Sequence, residues 1–188
     1  MDKRPIIVVL AGHNGAGKST FYHAHLEVSG LRFLNADVLA AELDVNPYLA
    51  SEATARLRQE LVKQGESFIF ETVFSDPVGD KLAFLKSALE HGYHVLLCFI
   101  GLSSPALAEQ RVAMRVSQGG HDVPTAKLVA RFPRTLANLA AAIRSLPCVL
   151  VFDNDDLRKP FRRVAVFQNG KQTFSAKTAP AWFKALKF

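Results

Sequence analysis

Apolar and polar positions divide the chain into short apolar runs that alternate with helical stretches. Residues 6–11, 31–37, 67–72, 93–100 and 148–154 read as five strands, the second, third and fifth closing on polar residues. The run through Val95–Leu97 to Ile100 is almost unbroken, as expected of a central parallel strand covered on both faces. Between these runs, residues 18–28, 38–43, 47–63 and 106–117 carry helical patterning, and Asp76-Pro77 opens another helix that stops near Gly92. In 47–63, Ala50, Ala53, Leu57 and Leu61 share one face. Residues 125–145 read as a helix broken at Pro133. Near the end, 161–167 and 171–175 flank Asn169-Gly170, a hairpin signal of type I′. The tail 180–188 holds Trp182, Phe183, Leu186 and Phe188, a set suited to packing back on the domain.

Strands alternating with helices imply a mainly parallel sheet with helices on both faces. The expected fold is an α/β three-layer sandwich of the P-loop NTPase type, with a five-stranded sheet, a helical lid and a C-terminal β-hairpin. At 188 residues the chain reads as one domain, with a core over about 5–156 and the hairpin and tail over 157–188.

Composition narrows the class. Residues are 49% apolar and 21% charged, the balance of a soluble globular protein. The longest apolar run is far too short to span a bilayer, and Met1-Asp2-Lys3-Arg4 leads straight into strand one. A cytoplasmic protein is therefore expected. Cys98 and Cys148 lie within apolar runs and read as reduced core residues. No Cys/His spacing suggests zinc, and His23 and His25, two apart on a helix, make a poor ligand pair. The net charge is +6, and eight basic but no acidic residues follow Asp156. Such a tail suits a solvated surface, an acidic substrate or RNA.

Candidate chemistry begins at Gly12-His13-Asn14-Gly15-Ala16-Gly17-Lys18-Ser19, which fits G-x-x-x-x-G-K-S/T between a strand and a helix. The glycines allow a sharp turn whose amides point into one concavity, a cradle for a di- or triphosphate. Lys18 is expected on the outer phosphates, the Ser19 hydroxyl on Mg²⁺, and Thr20 near the α-phosphate. Asp37 follows the second strand and either caps the next helix or acts as a base beside the phosphates. Glu71 and Thr72 end the third strand, where Glu71 could orient a substrate hydroxyl or a water on Mg²⁺. Arg111 and Arg115 share one helix face, and an anion between them would relieve their repulsion. Residues 118–124, Gln118 to Pro124, are the best candidate for a lid hinge. Asp153 and Asn154 end the fifth strand. They could border the adenine, or Asp153 could be a second Mg²⁺-associated carboxylate.

These motifs, with Asn35-Ala36-Asp37, Phe70-Glu71-Thr72, Gly119 to Pro124 and Arg131-Phe132-Pro133-Arg134, resemble the zeta-toxin-like P-loop kinases, in particular their short stand-alone bacterial members. The resemblance spans about 6–154. It implies ATP- or GTP-dependent, Mg²⁺-assisted phosphoryl transfer to a hydroxyl, in the toxin members that of UDP-N-acetylglucosamine. It also implies that Asp37 is the general base, that Glu71, Thr72, Arg131 and Arg134 contact substrate, and that Arg111 and Arg115 neutralise the migrating group. The acceptor and any antitoxin partner stay open. Two other readings fit the same residues: a nucleotide-driven switch or ATPase without a small acceptor, and an RNA-end kinase that uses the basic tail.

Overall fold

A computed structural model describes residues 4–120 and 122–188; Met1, Asp2, Lys3 and His121 lie outside the described residues. Strand β1 (Ile6–Gly12) runs into the glycine-rich loop and then α1 (Lys18–Phe21). The helix widens into a π-helical stretch at Tyr22–Leu26 and tightens into a 3₁₀ turn at Glu27–Ser29. The expected single α-helix is thus helical throughout but changes pitch twice. There follow β2 (Arg32–Leu34), α2 (Ala36–Leu43), α3 (Pro47–Lys63), β3 (Phe68–Thr72) and α4 (Asp80–Glu90). After these come β4 (His94–Gly101), α5 (Pro105–Ser117), α6 (Thr125–Ser145) and β5 (Cys148–Asp153). The chain closes with β6 (Arg162–Gln168), β7 (Lys171–Ser175) and α7 (Ala181–Lys184).

The sheet has seven strands, not five, in the order β2-β3-β1-β4-β5-β6-β7. Its first five are parallel, as the apolar runs predicted. The hairpin is not an appendage. β6 pairs antiparallel with β5, with Val149 opposite Phe167 and Leu150 opposite Val166. The physical reason is the edge of β5, whose unpaired amides need a partner. β6 supplies it and buries Val164, Ala165 and Phe167. β7, exposed along its whole length and rich in polar side chains, becomes the new edge. Asn169 and Gly170 both have positive φ, 49° and 76°, as a type I′ turn requires.

Alternation along β1 splits the core into two layers. Ile7 and Val9 face α3, α4, α7 and the second half of α6 through Leu61, Leu85, Phe183 and Leu139. Val8 and Leu10 face α1 and α5 through Phe21 and Ala108. Helix α6 serves both layers, contributing Phe132 to one and Ile143 to the other. It runs unbroken through Pro133, contrary to expectation. Pro133 is exposed, and the carbonyl it leaves unpaired belongs to Val129 on the solvent side. The inner stripe of α3 also differs from expectation. Ala53 and Leu57 face outward, while Ala50, Thr54 and Leu61 are buried. Thr54 can sit inward because its hydroxyl bonds back to the Ala50 carbonyl at 2.9 Å. Helix α4 starts at Asp80 rather than at Asp76-Pro77.

Cys98 and Cys148 are free thiols on neighbouring strands, and burial pushes the Cys98 thiol up to about 12. Among the described residues no helix is long and apolar enough to cross a membrane.

Candidate active site

The loop between β1 and α1 is fixed from three directions. Gly12 has φ 144°, and a methyl group there would meet the Ile100 carbonyl oxygen of β4 at 2.1 Å. Gly15 has φ 72°, and a methyl group there would lie 2.8 Å from both the Ala108 carbonyl oxygen and Arg111 Cβ of α5. Both positions combine a left-handed backbone with contact on neighbouring backbone, so only glycine fits. From the third side Asn154 Nδ2 donates to the Ala16 carbonyl at 2.8 Å, while its Oδ1 accepts from the Phe161 amide. Asn154 is therefore placed under the loop, as a brace from the end of β5. His13 lies beneath as well, 2% exposed, stacked on Phe132 at 3.9 Å. Its Nδ1 accepts from the Leu102 amide at 3.3 Å. Burial first, and then the Lys18 charge, lower the His13 pKa to about 3. Asn14 and Arg131 line a small hollow beside this ring, together with Thr135.

A cluster of charged and polar side chains sits at the end of β1 and its neighbour β3. The buried Lys18 ammonium donates to the His13 carbonyl at 2.9 Å and lies 3.6 Å from Glu71 Oε1. Ser19 Oγ donates to Glu71 Oε2 at 2.8 Å, and Asn35 Nδ2 donates to the same oxygen at 3.0 Å. Burial lowers the Lys18 pKa, the charges of Glu71 and Asp37 oppose that, and Arg115 adds to the lowering. The charges of Glu71 from β3, Asp37 from α2 and Arg115 from α5 thus all act on Lys18 at the start of α1.

Asn35, which sequence reasoning passed over, is the residue that caps α2. Its Oδ1 accepts from the amides of Asp37 and Val38. Asp37 is consequently not the cap; it is exposed in the first turn, its charge within reach of Lys18. The signal was available, since Asn is as good a cap as Asp and stands one residue before the helical pattern.

The remaining candidates divide. Arg111 and Arg115 do share a face of α5, and that face lies against the loop. Arg111 donates through one nitrogen to the Asn154 and Asp155 carbonyls, both at 2.8 Å. Thr72 accepts from the Phe74 amide at 3.0 Å and so shapes the exit of β3. Thr20 and Arg134 are exposed. Asp153 is turned away from the loop: Oδ1 accepts from Trp182 Nε1 at 2.8 Å and Oδ2 from Arg162 at 3.1 Å. Part of the basic tail is likewise engaged internally, for Arg163 lies over the Phe174 ring at 4.4 Å. Of the expected hinge, Gly119 has φ 88° and the Gly120 amide closes onto the Arg115 carbonyl at 3.0 Å.

Comparison with known proteins agrees with this architecture. An uncharacterized protein of Haemophilus influenzae is 29% identical over 119 residues, 61% of this chain and 83% of the relative. The fold matches a solved structure of the PezAT chromosomal toxin-antitoxin system of Streptococcus pneumoniae at TM-score 0.65 and 17% identity. That match covers 93% of this chain and 76% of the other. It matches a structure of AvrRxo1-ORF1:-ORF2 with ATP at TM-score 0.69 and 19% identity, over 90% of this chain and 60% of that one. A family model for the AAA domain matches residues 7–139, the stretch that runs from β1 through the loop, Glu71 and both arginines into α6. The chain therefore belongs to the AAA-domain family of P-loop proteins.

Proposed function

We propose that this protein is a kinase that transfers the γ-phosphoryl group of ATP or GTP to a hydroxyl of a small molecule, a sugar nucleotide such as UDP-N-acetylglucosamine being one acceptor to test. One observation carries the reading: Lys18 and Ser19 both meet the Glu71 carboxylate, with the charges of Asp37 and Arg115 acting on Lys18. Phosphoryl transfer asks little covalent chemistry of the protein; it asks for positioning and charge stabilisation.

In this reading the loop amides hold the β- and γ-phosphates and Lys18 leaves its contact with the His13 carbonyl to reach them. Ser19 Oγ and Glu71 present hard oxygens 2.8 Å apart, a donor set that fits Mg²⁺ completed by phosphate oxygens and water. When bound, that ion would neutralise charge between the phosphates. Arg115 faces the migrating group, and Arg111 keeps α5 seated on the Asn154–Asp155 backbone. Asp37, exposed at the rim, accepts the proton of the acceptor hydroxyl. Arg131, beside Asn14, is the cation best placed to meet an acidic acceptor. The likeness to a toxin-antitoxin structure supports including a protein antitoxin among the partners to be sought.

The test is transfer from γ-labelled ATP into a metabolite extract. A kinase leaves label in an extract component, and Asp37→Ala lowers that transfer roughly 10²-fold while nucleotide affinity changes little. Label found only in free phosphate, at a rate the extract does not change, would replace this reading by an ATPase or switch.

A further inference from the structure

Three cations packed against the body of the molecule have oxygen acceptors. Lys18 has Glu71 and a carbonyl, Arg111 has two carbonyls, and Arg162 has Asp153. Arg58 of α3 differs. Its guanidinium lies over the ring of Phe70 at 4.8 Å and that of Phe84 at 5.6 Å, and its Nε is buried with no hydrogen-bond partner. The two rings hold the planar fork in place, yet they offer it no oxygen. Burial alone lowers its pKa, with no carboxylate working against that.

Arg58 lines a cleft of about 650 Å³ between the second half of α3 and α4, which shares no residue with the phosphate loop. That is the size of a small-molecule site. Lys63, Lys81 and His91 add basic groups to its walls, against one carboxylate, Asp80. Lys63 is already paired with Glu60 at 2.7 Å. His91 is held by the Ser87 carbonyl through Nδ1 at 2.7 Å. Val62, Phe84 and Ala88 add apolar surface to the cleft.

We propose that the α3–α4 cleft binds a small organic anion, whose carboxylate or phosphate meets the Arg58 fork while its carbon body lies on Phe84 and Val62. A planar fork already immobilised by stacking loses little freedom on binding, which favours bidentate recognition of either group. The site is independent of the proposed transferase activity.

The experiment is an NMR titration of the whole chain at constant ionic strength, with citrate in one arm and inorganic phosphate in the other. The Arg58 Nε–H signal and the Ser87 and His91 amides should shift saturably in at least one arm, with Kd of roughly 1 mM or tighter. Response to citrate alone assigns a carboxylate ligand, and response to phosphate alone a phosphate. Arg58→Met retains the stem over the two rings and should weaken binding at least roughly tenfold. The Gly15 and Gly17 amides, which report the phosphate loop, should respond as in the parent chain. Arg58→Lys keeps the charge without the fork and serves if the Met variant does not fold. Cleft signals that stay still in both arms, or shifts of equal affinity in the Arg58 variants, overturn the proposal.

Discussion

Glu71 and Asp153 look alike in the sequence and do different things in the structure. Each is a carboxylate at the carboxyl end of an apolar run: Phe68-Ile69-Phe70-Glu71 and Val149-Leu150-Val151-Phe152-Asp153. Both lie on parallel strands of one sheet. The difference is strand order. β3 is the direct neighbour of β1, with Glu71 in register with Leu10, so its carboxylate reaches Ser19 and Lys18. β5 is separated from β1 by β4, and Asp153 pairs in register with Gly101. The Trp182 indole occupies the space above Gly101 and takes one Asp153 oxygen, and Arg162 takes the other. Both carboxylates are bonded, but Glu71 to Ser19, Asn35 and Lys18 around the glycine-rich loop and Asp153 to Trp182 and Arg162 of the C-terminal segment, so partners and not free oxygens separate the two.

Exchange experiments can break this contrast. The largest effect is expected at Glu71. Glu71→Gln keeps the shape and removes the charge, so turnover in the labelled-ATP assay should fall roughly 10²- to 10³-fold with little change in melting temperature. Full activity in that variant would erase the distinction. Asp153→Ala should behave in the opposite way. It leaves the buried indole N–H without its acceptor and takes one of two acceptors from Arg162, a loss of about 2 kcal/mol in chemical denaturation. Activity per folded molecule should stay within severalfold.

Acid sharpens the comparison with an effect of similar size. His13 is neutral in the folded protein down to pH about 3, but in the unfolded chain it takes up a proton near its ordinary value of 6.5. The unfolded state therefore binds more protons between those values, and stability falls as pH drops through this window. From pH 7 to 5 the loss should be about 2 kcal/mol. His13→Asn, which retains an acceptor for the Leu102 amide, should remove that dependence. Hydrogen exchange should show the damage first at the phosphate loop and not at the Asp153 corner.

The parallel strands and the phosphate loop were legible because their signals are local. An apolar run flanked by turn residues marks a buried strand, and the spacing of Gly12, Gly17 and Lys18 is a backbone requirement written in residue types. The hairpin was legible from Asn169-Gly170, but its docking onto β5 was not, since pairing between distant segments leaves no local mark. The same holds for Asp153: nothing near it in sequence announces Trp182, 29 residues on. Asn35 was missed because Asp37 offered a more conspicuous carboxylate for the same cap. The inward turn of Arg58 was hidden by its charge, which ordinarily marks a solvated face, whereas here its stem and fork lie on Phe70 and Phe84. Pro133 misled in the other direction, because its helix-breaking tendency is weak where the lost bond faces solvent.

The indole that bonds to Asp153 belongs to the chain's single tryptophan. Its ultraviolet emission is therefore a built-in gauge of whether the tail is seated. Because Asn154, next in line, holds the Ala16 carbonyl, a loosened tail would slacken the nucleotide cradle too, and a red-shifted glow should accompany weaker grip on ATP.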